Sequence, residues 1–119
     1  GKVGNAKFAA YCSSKFGVIG FTQSLAKEMA EYKVNVNAIC PSLVETERVF
    51  GMASALKPDS DTSTEEWRDE MVAQTNANNP MGRIAQAKDV ADVAAFLASS
   101  QADYLTGLAI NVAGGSHMG

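Results

Sequence analysis

Tyr11-Cys-Ser-Ser-Lys15-Phe-Gly-Val-Ile-Gly-Phe-Thr-Gln-Ser-Leu-Ala-Lys-Glu-Met29, followed by Val34-Asn-Val-Asn-Ala-Ile-Cys-Pro41, is the stretch from which the fold can be read. From about Ala6 to Tyr32 there is no proline, and Cys12, Phe16 and Ile19, with Val18, Phe21, Leu25 and Met29 beside them, recur at helical spacing. The pattern predicts a long helix. Gly17 and Gly20 fall inside it, where each costs about 1 kcal/mol relative to alanine, so close approach of another helix or backbone is expected there. Lys27, Glu28, Glu31 and Lys33 mark a solvated end. Val34 to Ile39 then alternates apolar and polar residues, which predicts a short strand ending just before Pro41. Ligands of open α/β sheets bind beyond the carboxyl ends of strands. The loop that begins at Pro41 is therefore the place where function is expected.

Outward from this core the chain changes character. Pro58, Asp59, Ser60, Asp61, Thr62, Ser63 and Thr64 form a polar break, and Ser63 to Glu66 fits a capping box that opens a helix with Trp67 and Met71 on one face. Asn76, Asn78, Asn79 and Pro80 close it. A further helix is predicted from about Ala87 to Ser99, with Val90, Val93, Ala94 and Leu97 on one face, leading into a buried strand over Gly107 to Val112 and then Gly114-Gly115. Two strands cannot stand alone as a sheet, and the apolar faces of two strong helices need a sheet to cover. The chain also opens on Gly1 without an initiator methionine. The expected architecture is thus α/β, the C-terminal half of a larger domain.

Composition narrows the function classes. The 119 residues are 46% hydrophobic and 19% charged, as in one soluble globular unit. Seven lysines and three arginines against thirteen acids leave no basic cluster of the kind that nucleic-acid binders carry. No apolar run approaches the roughly 18 to 20 residues of a membrane span, and no secretory leader opens the chain. Neither nucleic acid nor membrane is an expected partner. Cys12 and Cys40 are expected to be reduced, structural thiols in a cytoplasmic protein, with no metal-ligand neighbours at usable spacing. His117, the only histidine, has no ligand or triad partner in sequence and reads as a tail residue. The acids Asp59, Asp61, Glu65, Glu66, Asp69 and Glu70 read as a solvated face, and Trp67 as the packing anchor of its helix.

Tyr11 and Lys15 are the residues that could carry chemistry. At i and i+4 on a helix their side chains share one face, and an ammonium beside a phenol favours the phenolate that general acid/base work requires. Such a pair is often mere surface packing. Its context decides otherwise: the run from Tyr11 to Met29 resembles the active-site helix of the short-chain dehydrogenase/reductase family, with its Tyr-x-x-x-Lys signature. Val34 to Pro41 resembles the family's next strand, and Pro41-Ser-Leu-Val-Glu-Thr46 is similar to its Pro-Gly-x-Val-x-Thr loop. Pro80-Met-Gly-Arg83 with the helix at Asp89-Val-Ala, and Thr106 to Gly115, follow in the family's order and spacing. The resemblance covers essentially the whole chain, and it implies the C-terminal half of a Rossmann-like doubly wound parallel-sheet domain.

What the resemblance implies is an oxidoreductase that uses NAD or NADP to move a hydride to or from a small carbonyl or secondary alcohol, such as a sugar, polyol, hydroxyacid or oxoacyl group. Tyr11 would exchange the proton with the substrate oxygen. Lys15 would favour the phenolate and hold the nicotinamide ribose. Main-chain groups near Pro41, Ser42 and Val44, with the Thr46 hydroxyl, would fix the carboxamide; no metal is implied. Residues 47 to 79 fall where the family carries its substrate lid, and the whole chain, 1 to 119, would be part of one domain that assembles as a homodimer or homotetramer. Two features depart from the pattern. Ser42 replaces the usual glycine, and Ala113 stands where many members have aspartate. No glycine-rich phosphate loop occurs in the 119 residues, and the family's catalytic serine would fall just upstream of Gly1. The alternative expectation is a truncated, catalytically silent remnant that serves only in assembly.

Overall fold

The computed structural model describes residues 4–48, 51, 55 and 63–119. Among them the elements run α1 (Ala9–Met29), β1 (Ala38–Pro41), α2 (Thr64–Asn78), α3 (Ala87–Ala98) and β2 (Ala109–Val112), with single 3₁₀ turns at Ala30–Tyr32 and Ser100–Ala102. β1 and β2 pair with each other. Ala38 N donates to Leu108 O at 2.8 Å and Ser42 N to Val112 O at 3.1 Å, a constant offset that makes the strands parallel. The chain divides into two compact units: one takes the chain to Cys40 together with Val93–Ile110, the other holds Pro41–Asp92 with Asn111–Gly119.

In the first unit α1 starts three residues later than its pattern predicts, because Lys7 adopts a left-handed backbone with φ 69° and Phe8 forms the N-cap. It ends through the 3₁₀ turn at Lys33, φ 61°. Only Thr22 and Ala26 are buried on it. Cys12, Ile19, Leu25 and Met29 are half-buried on the same side, whereas Phe16, Val18 and Phe21 remain exposed. Gly17 and Gly20 have nothing within 4 Å of an added Cβ, so the expected close approach is not made among the described residues.

The predicted strand at Val34–Ile39 begins instead at Ala38, and its two asparagines explain why. Asn37 Nδ2 donates to Leu105 O at 2.9 Å while Asn37 Oδ1 accepts from Leu108 N at 3.0 Å. Asn35 Nδ2 reaches Ala102 O and Asp103 O, each at 3.2 Å. Val36 N donates to Thr106 Oγ1 at 2.9 Å, and Val36 O accepts from Gly107 N at 2.7 Å. Along 34–37 side chains therefore supply most of the bonds to the 102–108 turn, and Val36 O keeps a backbone partner there, Gly107 N. Gly107, at φ +75°, lies where an added Cβ would sit 3.5 Å from Ala26 Cβ, which brings this turn against α1. β1 also runs one residue beyond its predicted end. Ala38 and Ser42 point their N–H groups at β2, so Pro41 falls at a position whose missing donor would have faced away.

In the second unit α2 opens as its sequence predicts: Ser63 Oγ accepts from Glu66 N at 3.1 Å and Ser63 O from Trp67 N at 3.0 Å. Asn79 closes it, donating its N–H to Thr75 O at 2.9 Å. α3 begins with a reciprocal cap in which Asp89 Oδ2 accepts from Gln86 N at 2.8 Å and Asp89 N donates to Gln86 O at 3.0 Å. Val90, Val93 and Leu97 are half-buried on α3, but Ala94 is exposed. Buried in this unit are Ile84, Ala85, Ala113 and the polar Asn79. No helix among the described residues is long and apolar enough to cross a membrane.

Candidate functional site

Tyr11 and Lys15 lie in the first two turns of α1, where Cys12 N donates to Phe8 O at 2.7 Å and Ser14 Oγ to Tyr11 O at 2.7 Å. The helix places Lys15 Nζ 5.4 Å from the centre of the Tyr11 ring, over its electron-rich face. Phe8 packs against the same ring edge-on, at 6.3 Å and 74°. With 52% of its surface exposed, Tyr11 is reachable by a ligand. A proton donor or acceptor beside a fixed cation is therefore accessible on one helical face.

The loop after β1 belongs to the second unit and is pinned at both ends. Ser42 donates its N–H to Val112 O, Val44 forms a parallel bridge with Ala85, and Glu45 N donates to Ala85 O at 2.9 Å. Pro41 and Thr46 are exposed, and the Thr46 hydroxyl donates to Val44 O at 3.4 Å. The Ser42 N–H is engaged in the sheet. The structure thus brings Tyr11 to Lys15, and holds Ser42, Val44 and Thr46 along one short anchored segment of the other unit.

Several features escape the sequence reading. An open hollow of about 330 Å³ is lined by Ser42, Leu43, Gln74, Thr75, Asn78, Asn79, Ser116 and His117, so His117 is a rim residue rather than a bare tail; its Nδ1 lies 3.2 Å from Ser116 Oγ. Glu45 gathers Arg68 and Gln86 about its carboxylate. The clues were present as an acid between Val44 and Thr46 and as the polar cluster before Pro80, but neither announces its partner. Glu65, Glu66, Asp69 and Glu70 are exposed on α2, while Asp59 and Asp61, and much of the expected lid over 47–79, lie outside the described residues. Trp67 is half-buried, with its Nε1 enclosed and without a hydrogen-bond partner. Cys12 and Cys40 are free thiols and half-buried rather than buried. Among the described residues no group of three or more His, Cys, Asp or Glu is placed to hold a metal.

A further ion pair among the described residues lies at the start of α3. The Arg83 guanidinium grips Asp89 with two hydrogen bonds, Nη1 to Oδ2 at 2.7 Å and Nη2 to Oδ1 at 2.9 Å. Those bonds first, and the Gln86 N–H second, hold the Asp89 carboxyl well below the usual carboxylate range. Its work is to fix the start of α3.

A sequence model described as enoyl-(acyl carrier protein) reductase matches residues 1–117. The chain belongs to the short-chain dehydrogenase/reductase family. Within that family it is 38% identical over 118 residues to the 3-oxoacyl-[acyl-carrier-protein] reductase FabG of Haemophilus influenzae, covering 99% of this chain and 43% of that protein. It is 40% identical to the FabG of Vibrio cholerae, covering 99% of this chain and 42% of the relative. The chain thus spans less than half the length of the curated relatives it matches. Among solved structures, a short chain dehydrogenase family protein from Francisella tularensis superposes with a TM-score of 0.83 at 30% identity, over 96% of this chain and 46% of that one. A structure of actinorhodin polyketide ketoreductase with NADPH gives a TM-score of 0.80 at 37% identity, covering 96% and 42%. The 3-oxoacyl-[acyl-carrier protein] reductase of Brucella melitensis with bound NAD gives 0.70 at 32%, covering 93% and 34%. The Rossmann-like α/β class expected from the sequence is the class of these neighbours.

Proposed function

We propose that the protein is an NAD- or NADP-dependent oxidoreductase that transfers a hydride between the nicotinamide and a small carbonyl or secondary alcohol. The observation that carries this reading is the Tyr11–Lys15 pair, one helical turn apart with the ammonium 5.4 Å from the ring centre, in a chain of the short-chain dehydrogenase/reductase family. An accessible phenol with an adjacent cation suits a ligand with ribose hydroxyls. The nicotinamide, when bound, supplies the hydride chemistry. Tyr11 holds or moves the proton at its phenolic oxygen as the substrate oxygen gains or loses it. Lys15 stabilises the phenolate and binds the ribose; groups of Pro41, Ser42, Val44 and Thr46 orient the ring. The oxoacyl thioester class is favoured by the FabG relatives, and either nucleotide is compatible with the NADPH- and NAD-bound neighbours.

On this reading the 119 residues are the C-terminal part of one domain of a longer, cytoplasmic protein, with the substrate lid within 47–79. That protein is a homodimer or homotetramer, an assembly favoured by the exposed Phe16, Val18 and Phe21 and by the open space beside Gly17 and Gly20. Tyr11→Phe in the full-length protein should lower kcat by about a hundred- to ten-thousand-fold. Enhancement of reduced-nicotinamide fluorescence should stay near the unaltered level. Full turnover in this variant would overturn the role of Tyr11.

A further inference from the structure

Glu45 stands between Val44 and Thr46, the two residues read above as orienting the cofactor, and it reaches in three directions. Its Oε1 accepts from Arg68 Nη2 at 2.8 Å, its Oε2 accepts from Gln86 Nε2 at 2.8 Å, and its backbone N–H donates to Ala85 O at 2.9 Å. Arg68 is the only cation on α2, which also carries Glu65, Glu66, Asp69 and Glu70. It stands 3.7 Å from its neighbour Asp69 but closes to 2.8 Å on Glu45, at the other end of a 23-residue separation. The helix of the lid region is therefore tied to the loop by its one positive charge, and the loop is tied at the same residue to the segment before α3.

We propose that Glu45 and Arg68 are positioning residues, a latch that holds the 42–46 loop in its ligand-binding shape for as long as α2 is docked on it. The inference rests on the functional reading above, since it assigns to that loop the cofactor. Release of the latch leaves Tyr11 and Lys15 untouched but lets Val44 and Thr46 wander, so affinity falls while the chemical step does not. Both side chains keep about 30% of their surface exposed, which limits the size of the effect.

The test uses the full-length enzyme with Arg68→Met, Glu45→Gln, their combination and Arg68→Lys. Reduced-nicotinamide fluorescence gives Kd, steady-state assays give KM and kcat, and amide hydrogen exchange follows residues 43–46. Each single change should raise Kd and KM by about two- to fivefold, the range of a partly exposed ion pair, with kcat unchanged and exchange at 43–46 accelerated. The double variant should be no worse than the singles, and Arg68→Lys should recover part of the loss. Additive effects in the double variant, or a lowered thermal midpoint with Kd and KM unmoved, would overturn the latch. If the unaltered enzyme binds no reduced nicotinamide, the functional reading fails on its own, and exchange at 43–46 alone then judges the latch.

Discussion

Both units are fastened by asparagine side chains that reach across long stretches of chain, but they use them in opposite ways. In the first unit Asn35 and Asn37 span 67 to 71 residues to the 102–108 turn, and two of those four bonds are exposed while two are part-buried. In the second, Asn79 is buried, with Oδ1 accepting from Met81 N at 2.9 Å and Nδ2 donating to Ala113 O at 3.3 Å. Gly114 closes over it at φ +56°, where an added Cβ would lie 2.5 Å from Asn79 Oδ1. The first fastening is spread over several exchangeable bonds. The second is a single seat with no slack, and substitutions should separate the two.

Gly114→Ala should have the largest effect, combining left-handed strain with a clash, and should cost about 2 to 4 kcal/mol in urea unfolding. Gly82 is its control: φ is +76°, but nothing lies within 4 Å of an added Cβ. Gly82→Ala should cost only the strain, about 1 kcal/mol, and equal losses at the two glycines would break the contrast. Next in size, Asn79→Ala removes two hydrogen bonds and empties a buried seat, although Met81 N keeps Gly114 O and Ala113 O keeps Ser116; it should cost about 2 kcal/mol, against about 1 kcal/mol for Asn37→Ala, where water can take over. Thermal midpoints that fall equally would show that burial does not set the difference.

The smallest effect concerns pH. Asp89 has a folded-state pKa below its unfolded value, so its contribution is complete above the ordinary carboxylate range near about 3.9 and declines as acid is added below it. Asp89→Asn should therefore flatten the loss of stability below about pH 4, most visibly for the second unit, which holds both Arg83 and Asp89. An unchanged acid limb would place the acid sensitivity elsewhere. Because the pair is on the surface, added salt should shrink the difference.

Much of this was readable in the chain because it is local. Helical spacing located α1 and α3, Ser63 announced the start of α2, and the ordered motifs from Tyr11-x-x-x-Lys15 to Gly114-Gly115 pointed to the family that the matching sequence model identifies. A turn of helix also dictates that Tyr11 and Lys15 meet, whatever surrounds them. The strand beginning at Ala38 was not readable. Val-Asn-Val-Asn has the alternation of a strand, yet its asparagines bond to a turn some seventy residues away, and alternation does not encode that partner.

The same limit separates the rest. By itself the sequence determined the helices, the Ser63 cap and the Tyr11–Lys15 face, which depend on residues within a few positions of one another, and the family, which rests on such local motifs following in order along the chain. Only the tertiary structure decided that Gly114 must be glycine, that Glu45 takes Arg68 rather than leaving it to Asp69, and that Phe16 and Phe21 stay uncovered on α1. Those outcomes depend on which groups, distant along the chain, share a seat.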